Sequence, residues 1–300
     1  MNAELYDRML SQLKLSGYQE RSWKSYLRAV RQLQNFHSKP LEEISEEDIQ
    51  DYWVYCKDEL EWRPSTMRIS YSGIKFFFTH TLKRDWDTLQ LVKVEAEKRL
   101  PTVLSIDEVR TVLEAIPEGQ NRAFFVLSYS CGLRLQEAIH IQIGDVDGKR
   151  GFVHVHRGKG AKDRYVPLPE STLRILREYW KRHRNPVWLF PALGRNSKQG
   201  PSAQRPVSKE TVQGALRRTM VRLNIKKRVT PHVFRHCYAT HLIEANVPIR
   251  RVQEYLGHST LASTMIYVHL TSVGEVDCRK RINQLMRGVL CPMPESGGSK

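Results

Sequence analysis

The chain has 300 residues, enough for one large or two ordinary domains, and its hydrophobic content of 40% and charged content of 27% are typical of a globular protein. The 48 Lys and Arg residues against 32 Asp and Glu give a formal net charge of +16, which favours a polyanionic partner, above all nucleic acid. The sequence lacks an apolar run near the roughly 18 residues of a membrane span, a signal peptide and a Cys-x-x-Cys pair, which predicts a cytoplasmic protein with reduced thiols and no membrane partner.

Residues 1–91 predict a small helical domain. YQERSWKSYLRAVRQLQNFH has apolar residues at helical spacing: Trp23, Leu27, Val30 and Phe36. Ser45 precedes an acidic first turn, which is typical of a helix N-cap, and a third helix begins at Pro64. Such a bundle can grip DNA, but it can equally be an ordinary helical domain.

A linker is predicted over residues 92–104, because VKVEAEKRLPTVL is charged, weakly periodic and broken by a proline. Ser105 and Glu108 then form a capping-box pattern that opens a new helix, and the second domain is predicted over residues 105–288. The remaining residues, 289–300, are rich in Pro, Gly and Ser and predict a disordered tail.

The second domain is predicted to be mainly α with a small β-hairpin or sheet. An apolar helix in NRAFFVLSYSCG stops at Gly132. GFVHVHR and RYVPLP are short extended runs separated by GKGAKD, which predicts a hairpin, and helical segments follow from PESTLRILREYWKRHR to TLASTMIYVHL.

Residues 230–241, TPHVFRHCYATH, concentrate imidazoles at the start of a helix. A threonine N-cap and a proline at the first helical position place His232 and Arg235 on one face, where free N–H groups attract an anion. Because Arg cannot ligate a cation, the pair suits a phosphate better than a metal. A zinc site would instead use His232, His236, Cys237 and His241. That spacing matches no standard ligand pattern, and a purely structural histidine cluster is the third interpretation.

Three further fragments carry polar side chains that are weak signals one by one. In GLRLQEA, Arg134 and Glu137 could form an ordinary surface ion pair or hold a guanidinium in place. In RGKGAKDR, Lys159 could protonate a leaving alkoxide, although a solvated charged turn is the more common outcome. In LGHSTLASTMIYVH, His258 precedes Tyr267 by nine residues, and a tyrosine in such a segment is usually a core residue.

The order of these fragments is more specific than any one of them. Arg-x-x-Glu, a hairpin Lys, His-x-x-Arg, Leu-Gly-His and a later Tyr follow each other at compatible distances. In this the chain resembles the tyrosine recombinase family of phage integrases and Xer-type recombinases over residues 5–290. TMIYVH and VQEYLGH are also similar to integron integrases. Residues 168–190, however, lack the extra segment with which those enzymes hold extrahelical bases, which favours double-stranded sites.

The resemblance implies a site-specific recombinase that cleaves and rejoins duplex DNA through a 3′-phosphotyrosyl intermediate, for integration, excision or resolution. Its catalytic residues would be Arg134, Lys159, His232, Arg235, His258 and Tyr267, with Glu137 in support. Tyr267 would be the nucleophile, the two arginines would clamp the scissile phosphate, and Lys159 would protonate the leaving 5′-oxygen. His232 would exchange a proton with the phenol or bind the phosphate, and His258 would add a donor. The ester keeps the bond energy, so the resemblance implies no metal, ATP or other cofactor.

The resemblance also implies the partners: double-stranded DNA with inverted-repeat recombination sites, a homotetramer on synapsed DNA, and association with the nucleoid. Residues 1–91 would be a core-binding domain that closes a two-domain clamp with the catalytic domain. The basic residues expected at the DNA are Arg68, Lys75, Arg157, Lys162, Arg164, Arg217 and Arg218. Most would contact phosphates, so that affinity falls with salt, whereas Arg68 or Lys75 would read bases in the major groove.

Two rival functions stay open at this point. A type IB topoisomerase-like enzyme would share the chemistry but release relaxed circles. A catalytically silent DNA-binding accessory factor would lack the chemistry, although the presence of all six catalytic residue types together argues against it.

Overall fold

A computed structural model describes residues 3–84, 86–91, 100–156, 163–194, 200–268 and 282–286. The chain divides into two compact units, residues 1–99 and residues 100–300. None of the described helices is long and apolar enough to cross a membrane.

The first unit is helical throughout its regular structure. Its elements are α1 (Ala3–Leu15), α2 (Glu20–His37), a 3-10 turn (Leu41–Glu43), α3 (Glu46–Asp58), α4 (Pro64–Phe76), a π-helical turn (Phe77–Thr81) and α5 (Thr88–Leu91). The predicted cap of α3 is present, since the Asp48 N–H donates to Ser45 Oγ (3.2 Å) and Ser45 N–H donates to the Asp48 carboxylate (2.7 Å). Helices α2 and α4 approach closely at Gly73, where an added Cβ would lie 2.8 Å from the Tyr26 Cα.

The core of the first unit follows the predicted stripes with one exception. Leu27 and Val30 of α2 are buried, but Phe36 is 39% exposed. Six residues beyond Val30 is about 240° around a helix, so Phe36 points away from the stripe that Leu33 continues. Its ring instead packs on the surface against Tyr55 at 4.6 Å between centroids.

The second unit combines α-helices with a three-stranded sheet, and a 3-10 turn (Ile143–Asp145) precedes the sheet. The helices are α6 (Ile106–Ala115), α7 (Gln120–Ser130), α8 (Leu135–Ile139), α9 (Glu170–His183), α10 (Lys209–Arg222), α11 (Pro231–Glu244), α12 (Ile249–Leu256) and α13 (Ala262–Val268). The strands are β1 (Val146–Asp147), β2 (Phe152–Val155) and β3 (Arg164–Pro167). They pair antiparallel in the order β1-β2-β3, with Val155 opposite Arg164. The hairpin was predicted, whereas β1 is too short to leave a pattern in the sequence.

Helix α11 lies at the centre of the second unit. Phe234 is fully buried and its ring lies 5.2 Å from that of Phe125 on α7. Leu104, assigned to the linker by sequence, is also fully buried here. Its N–H donates to Cys237 Sγ on α11 (3.2 Å). A helix buried on most sides holds the side chains at its N-terminal end in fixed positions.

Candidate active site

Arg235 is held inside the second unit by the ends of two other helices. Its side chain is 1% exposed, and it donates to the carbonyl oxygens of Gly132 (2.8 Å) and Leu256. Gly132 has φ +57, and a Cβ there would lie 2.2 Å from the Tyr238 ring, so only glycine fits this approach. The predicted start of α11 is correct, although the Thr230 hydroxyl makes no capping hydrogen bond.

Glu137 is the centre of an arginine cluster. Its carboxylate accepts from Arg134 Nη1 (2.7 Å) and from both terminal nitrogens of Arg164 (2.9 and 2.8 Å), and Arg235 Nη1 lies 3.9 Å away. The Glu137 side chain is only 7% exposed, so the Arg134–Glu137 pair is a buried contact and not the surface ion pair considered from sequence. Three guanidinium groups around one carboxylate leave an excess of positive charge, which suits an incoming phosphate.

The electrostatics of the cluster hold Glu137 ionised. Burial alone would raise its pKa, but the hydrogen bonds and charges of Arg164 and Arg134 outweigh that effect and lower the pKa to about 2. Burial and the charge of Arg134 likewise lower the pKa of Arg235, while Glu137 opposes the shift.

The structure corrects the expectation that Arg164 contacts DNA. Its side chain is 9% exposed, and its three outer nitrogens donate to Glu137 and to the Tyr255 carbonyl oxygen (2.8 Å from Nε). Arg164 therefore fastens the beginning of β3 to α8 and α12 and orients Glu137. The sequence placed it in a basic hairpin but could not show that its partner lies 27 residues earlier.

The hydroxyl of Tyr267, on α13, lies near the arginines that surround Glu137. The ring is buried at 4% exposure, and the phenol oxygen lies 2.9 Å from His236 Nδ1. Burial raises the pKa of Tyr267, and the charges of Arg235 and Arg134 oppose this rise, which places the hydroxyl within their field. The Tyr267 ring is thus part of the core, as its apolar neighbours predicted, but its hydroxyl contacts a polar side chain.

From the sequence, His236 was considered only as a possible zinc ligand. The structure places it in contact with the Tyr267 hydroxyl. The expected partner of the phenol was His232, which is exposed and whose ring lies 4.5 Å from that of His236. Burial, His232 and Arg235 lower the pKa of His236 to about 4, so the ring is neutral at pH 7 and can accept the phenolic proton. The i,i+4 spacing from His232 was a signal that both rings share a face.

His258 joins the site from the loop after α12. Gly257 ends α12 with φ +61, and the His258 ring is nearly parallel to that of Tyr267, 6.3 Å away. Its Nδ1 lies 2.9 Å from the Thr264 hydroxyl, which fixes the ring orientation. Burial and then the charges of Arg235 and Arg134 lower the pKa of His258 to about 4; partial burial and the same arginines lower the pKa of His232.

The zinc interpretation of this segment fails on geometry. His241 lies beyond the arginine cluster, with Nε2 2.9 Å from the Leu104 carbonyl oxygen and Nδ1 2.8 Å from the Tyr129 hydroxyl. Cys237 accepts from the Leu104 backbone. Both residues therefore hold α11 against neighbouring segments and do not converge with the histidines of the arginine cluster.

The remaining predicted residues are the basic side chains expected at the DNA and the catalytic candidate Lys159. Arg157, Lys159 and Lys162 lie outside the described residues, although the paired strands on either side end at Val155 and resume at Arg164. Arg217 and Arg218 are exposed on α10. On α4 of the first unit, Arg68 is exposed and Lys75 is half-buried, seven residues on and hence on the same face.

Comparison with known proteins decides the family. A model of the phage integrase family matches residues 102–273, and a model of the phage integrase N-terminal SAM-like domain matches residues 5–88. The chain belongs to the phage integrase family. It is a tyrosine-type site-specific recombinase, as its relatives are.

Two relatives illustrate the extent of the similarity. A putative integrase/recombinase of Sinorhizobium fredii is 34% identical to this recombinase over 269 residues, 89% of this chain and 85% of the relative. Tyrosine recombinase XerD of Staphylococcus aureus is 31% identical over 278 residues, 87% and 90% of the two chains.

A solved structure shares the fold. The crystal structure of XerH site-specific recombinase bound to palindromic difH substrate aligns with a TM-score of 0.67 at 22% identity, covering 88% of this recombinase and 78% of XerH. The mainly helical prediction with a small sheet is confirmed. The particular similarity to integron integrases finds no support in these comparisons, and they favour neither the topoisomerase nor the silent accessory factor.

Proposed function

We propose that this recombinase cuts and rejoins duplex DNA with Tyr267 as the nucleophile. The observation that carries the proposal is the phenol oxygen 2.9 Å from His236 Nδ1, beside the cluster of Arg134, Arg235 and Glu137. A buried phenol with a raised pKa is a poor nucleophile until a neighbouring base takes its proton. A neutral imidazole in hydrogen-bond contact is such a base.

The phosphate would lie against the arginines. Protein acceptors take some of the N–H groups of Arg134, which is 25% exposed, and of the buried Arg235. A guanidinium has five N–H donors, so others remain for the non-bridging oxygens. Charge that builds on these oxygens in the transition state then meets donors that need no rearrangement. Glu137 and Arg164 act as positioning residues, while His258 supplies a further donor.

Cleavage exchanges one phosphate ester for another. The Tyr267 oxygen bonds to phosphorus as its proton passes to His236 or, on the exposed side, to His232, and the bond from phosphorus to the 5′-oxygen breaks. Lys159 gives a proton to that leaving oxygen. The 3′-phosphotyrosyl ester retains the energy of the broken bond, so the returning 5′-hydroxyl reverses the step with no ATP.

The net positive charge of the chain and the DNA bound to a related recombinase both support DNA as the partner. The net charge of +16 and the exposed Arg217 and Arg218 favour a duplex held mainly through phosphates. XerH was solved on a palindromic substrate, which supports inverted-repeat sites here. Exchange of strands between two such sites would require a synaptic homotetramer, with one chain bound at each half-site. Residues 1–91 would be the core-binding half of the clamp, with Arg68 or Lys75 at the bases. We expect the sites to be double-stranded DNA rather than folded single strands. We also expect the recombinase to act at the nucleoid, in the cytoplasm.

A duplex carrying a nick near the crossover tests the chemistry. The small fragment diffuses away after cleavage, so wild type accumulates an SDS-stable protein–DNA adduct. Tyr267→Phe should bind the same duplex and form none, whereas Tyr55→Phe, a tyrosine of the first unit, should match wild type. Equal adduct yields from Tyr267→Phe and wild type would rule out the assignment.

A further inference from the structure

Outside the arginine cluster, a second group of titratable side chains meets at the sheet. Asp145, His154 and His156 each present one ligand atom, and these atoms lie within 4.8 Å of one another. The alternation of β2 explains the placement: Val153 and Val155 are buried in the core, so His154 and His156 face outward together. Their ring centroids are 3.9 Å apart.

The carboxylate of Asp145 is fixed before any ligand arrives. Its side chain is 8% exposed, its Oδ2 accepts from the Gln142 N–H (2.7 Å), and its Oδ1 lies 2.5 Å from His156 Nε2. One oxygen is thus oriented by the backbone while the other faces an imidazole. This division between an orienting bond and a ligating atom is the usual arrangement around protein-bound metals.

A second carboxylate reaches the imidazoles from the opposite leg of the hairpin. Asp163 Oδ2 lies 3.3 Å from His154 Nε2 and 3.6 Å from His156 Nδ1. The Tyr165 ring stacks on His154 with 4.5 Å between centroids and 11° between planes, which restrains that imidazole. Asp145 faces Nε2 of His156 and Asp163 faces Nδ1 of the same ring, so Asp163 can orient this imidazole while Nε2 faces the Asp145 carboxylate.

Such a donor set suits a divalent transition ion. Zn²⁺ takes His nitrogen and Asp oxygen ligands at about 2.0–2.2 Å, so the three side chains would supply three ligands and water the fourth. With an ion, both rings serve as neutral donors and both carboxylates balance its charge.

We propose that Asp145, His154 and His156 bind one Zn²⁺ or a similar divalent transition ion, with Asp163 as the outer carboxylate that accepts from the free ring nitrogen of His156. The ion would tie β2 to the turn before β1 and, through Asp163, to the residue before β3. It would thus restrain both strands of the hairpin whose connecting residues include Lys159 in the sequence; this consequence rests on the proposed function, while the binding itself does not. The ion touches no reacting atom, so chelated protein still forms the covalent adduct.

Metal titration of the untagged full chain tests the site. After removal of metals, calorimetry with Zn²⁺ should give one ion per chain, and Co²⁺ should give a tetrahedral visible spectrum without a thiolate charge-transfer band. His154→Gln and His156→Gln should each weaken Zn²⁺ binding by more than the roughly 10–100-fold that loss of an outer-shell partner costs. His140→Gln alters an exposed histidine outside the cluster and should bind as wild type does.

Hydrogen exchange supplies a readout that does not depend on the variants. Zn²⁺ should slow amide exchange in residues 152–155 and 164–167 of wild type, and it should leave these strands unchanged in His156→Gln. Circular dichroism of the metal-free variants establishes that they fold. Absence of binding, a thiolate spectrum, or equal affinity in wild type and both histidine variants would overturn the site, whatever the outcome for Tyr267.

Discussion

Replacing Glu137 with Gln removes the single negative charge that holds Arg134, Arg164 and Arg235 together. Lowering the pKa of Glu137 from its ordinary value near 4.5 to about 2 corresponds to about 3 kcal/mol of folding stability, at about 1.4 kcal/mol per factor of ten. Breaking a buried ion pair by removing one partner costs about 3–5 kcal/mol in other proteins. Both estimates predict that Glu137→Gln lowers the free energy of unfolding at pH 7 by about 3 kcal/mol.

Urea unfolding followed by circular dichroism measures this loss. Because folding lowers the pKa of Glu137, its contribution is fully present above about pH 4.5 and is lost as the pH falls towards 2, so wild type and variant should converge there. Glu178→Gln is the matched control: Glu178 pairs with Lys181 at 2.7 Å on the exposed face of α9, and its loss should leave the midpoint unchanged. A Glu137→Gln loss below about 1 kcal/mol would refute the view that this carboxylate organises the cluster.

Three further predictions concern the chemistry and the DNA. His236→Gln should reduce the rate of adduct formation by about 10²–10⁴-fold with DNA affinity unchanged, as expected for loss of a general base; a rate within a few-fold of wild type would transfer that role to His232. Arg217→Ala combined with Arg218→Ala should reduce the slope of log affinity against log salt by about 2 in gel shifts, equally on specific and non-specific duplexes. Because the pKa of His258 is lowered to about 4 in the free protein and a phosphate favours its charged form, DNA affinity should rise as the pH falls from 7 to 5. His258→Gln should flatten that dependence, and an unchanged pH profile would contradict it.

Local sequence patterns predicted the elements and many of their ends. Ser45 and Ser105 both cap helices through the box that the Ser-x-x-acid spacing indicates, because such a cap involves only one turn of chain. The hairpin followed from two short extended runs. The exposed position of Phe36 was not predicted, although its place about 240° around the helix from Val30 accounts for it.

Contacts between distant segments could not be predicted from spacing. Arg164 looked like a DNA contact because its neighbours are basic, and only the fold places Glu137 within reach of it. The choice of His236 over His232 for the phenol depends on where α13 packs against α11, which no local pattern specifies. The order of the motifs suggested the candidate residues, and the fold shows which of the described ones lie close together.

Mapping the covalent adduct identifies the atom that attacks the phosphorus. Adduct formed on the nicked duplex can be digested with protease and nuclease and analysed by mass spectrometry. Attack by the Tyr267 phenol oxygen gives one modified peptide, with a nucleotide joined through its 3′-phosphate to Tyr267. A nucleotide attached to any other residue, or joined through its 5′-phosphate, would show that Tyr267 is not the nucleophile.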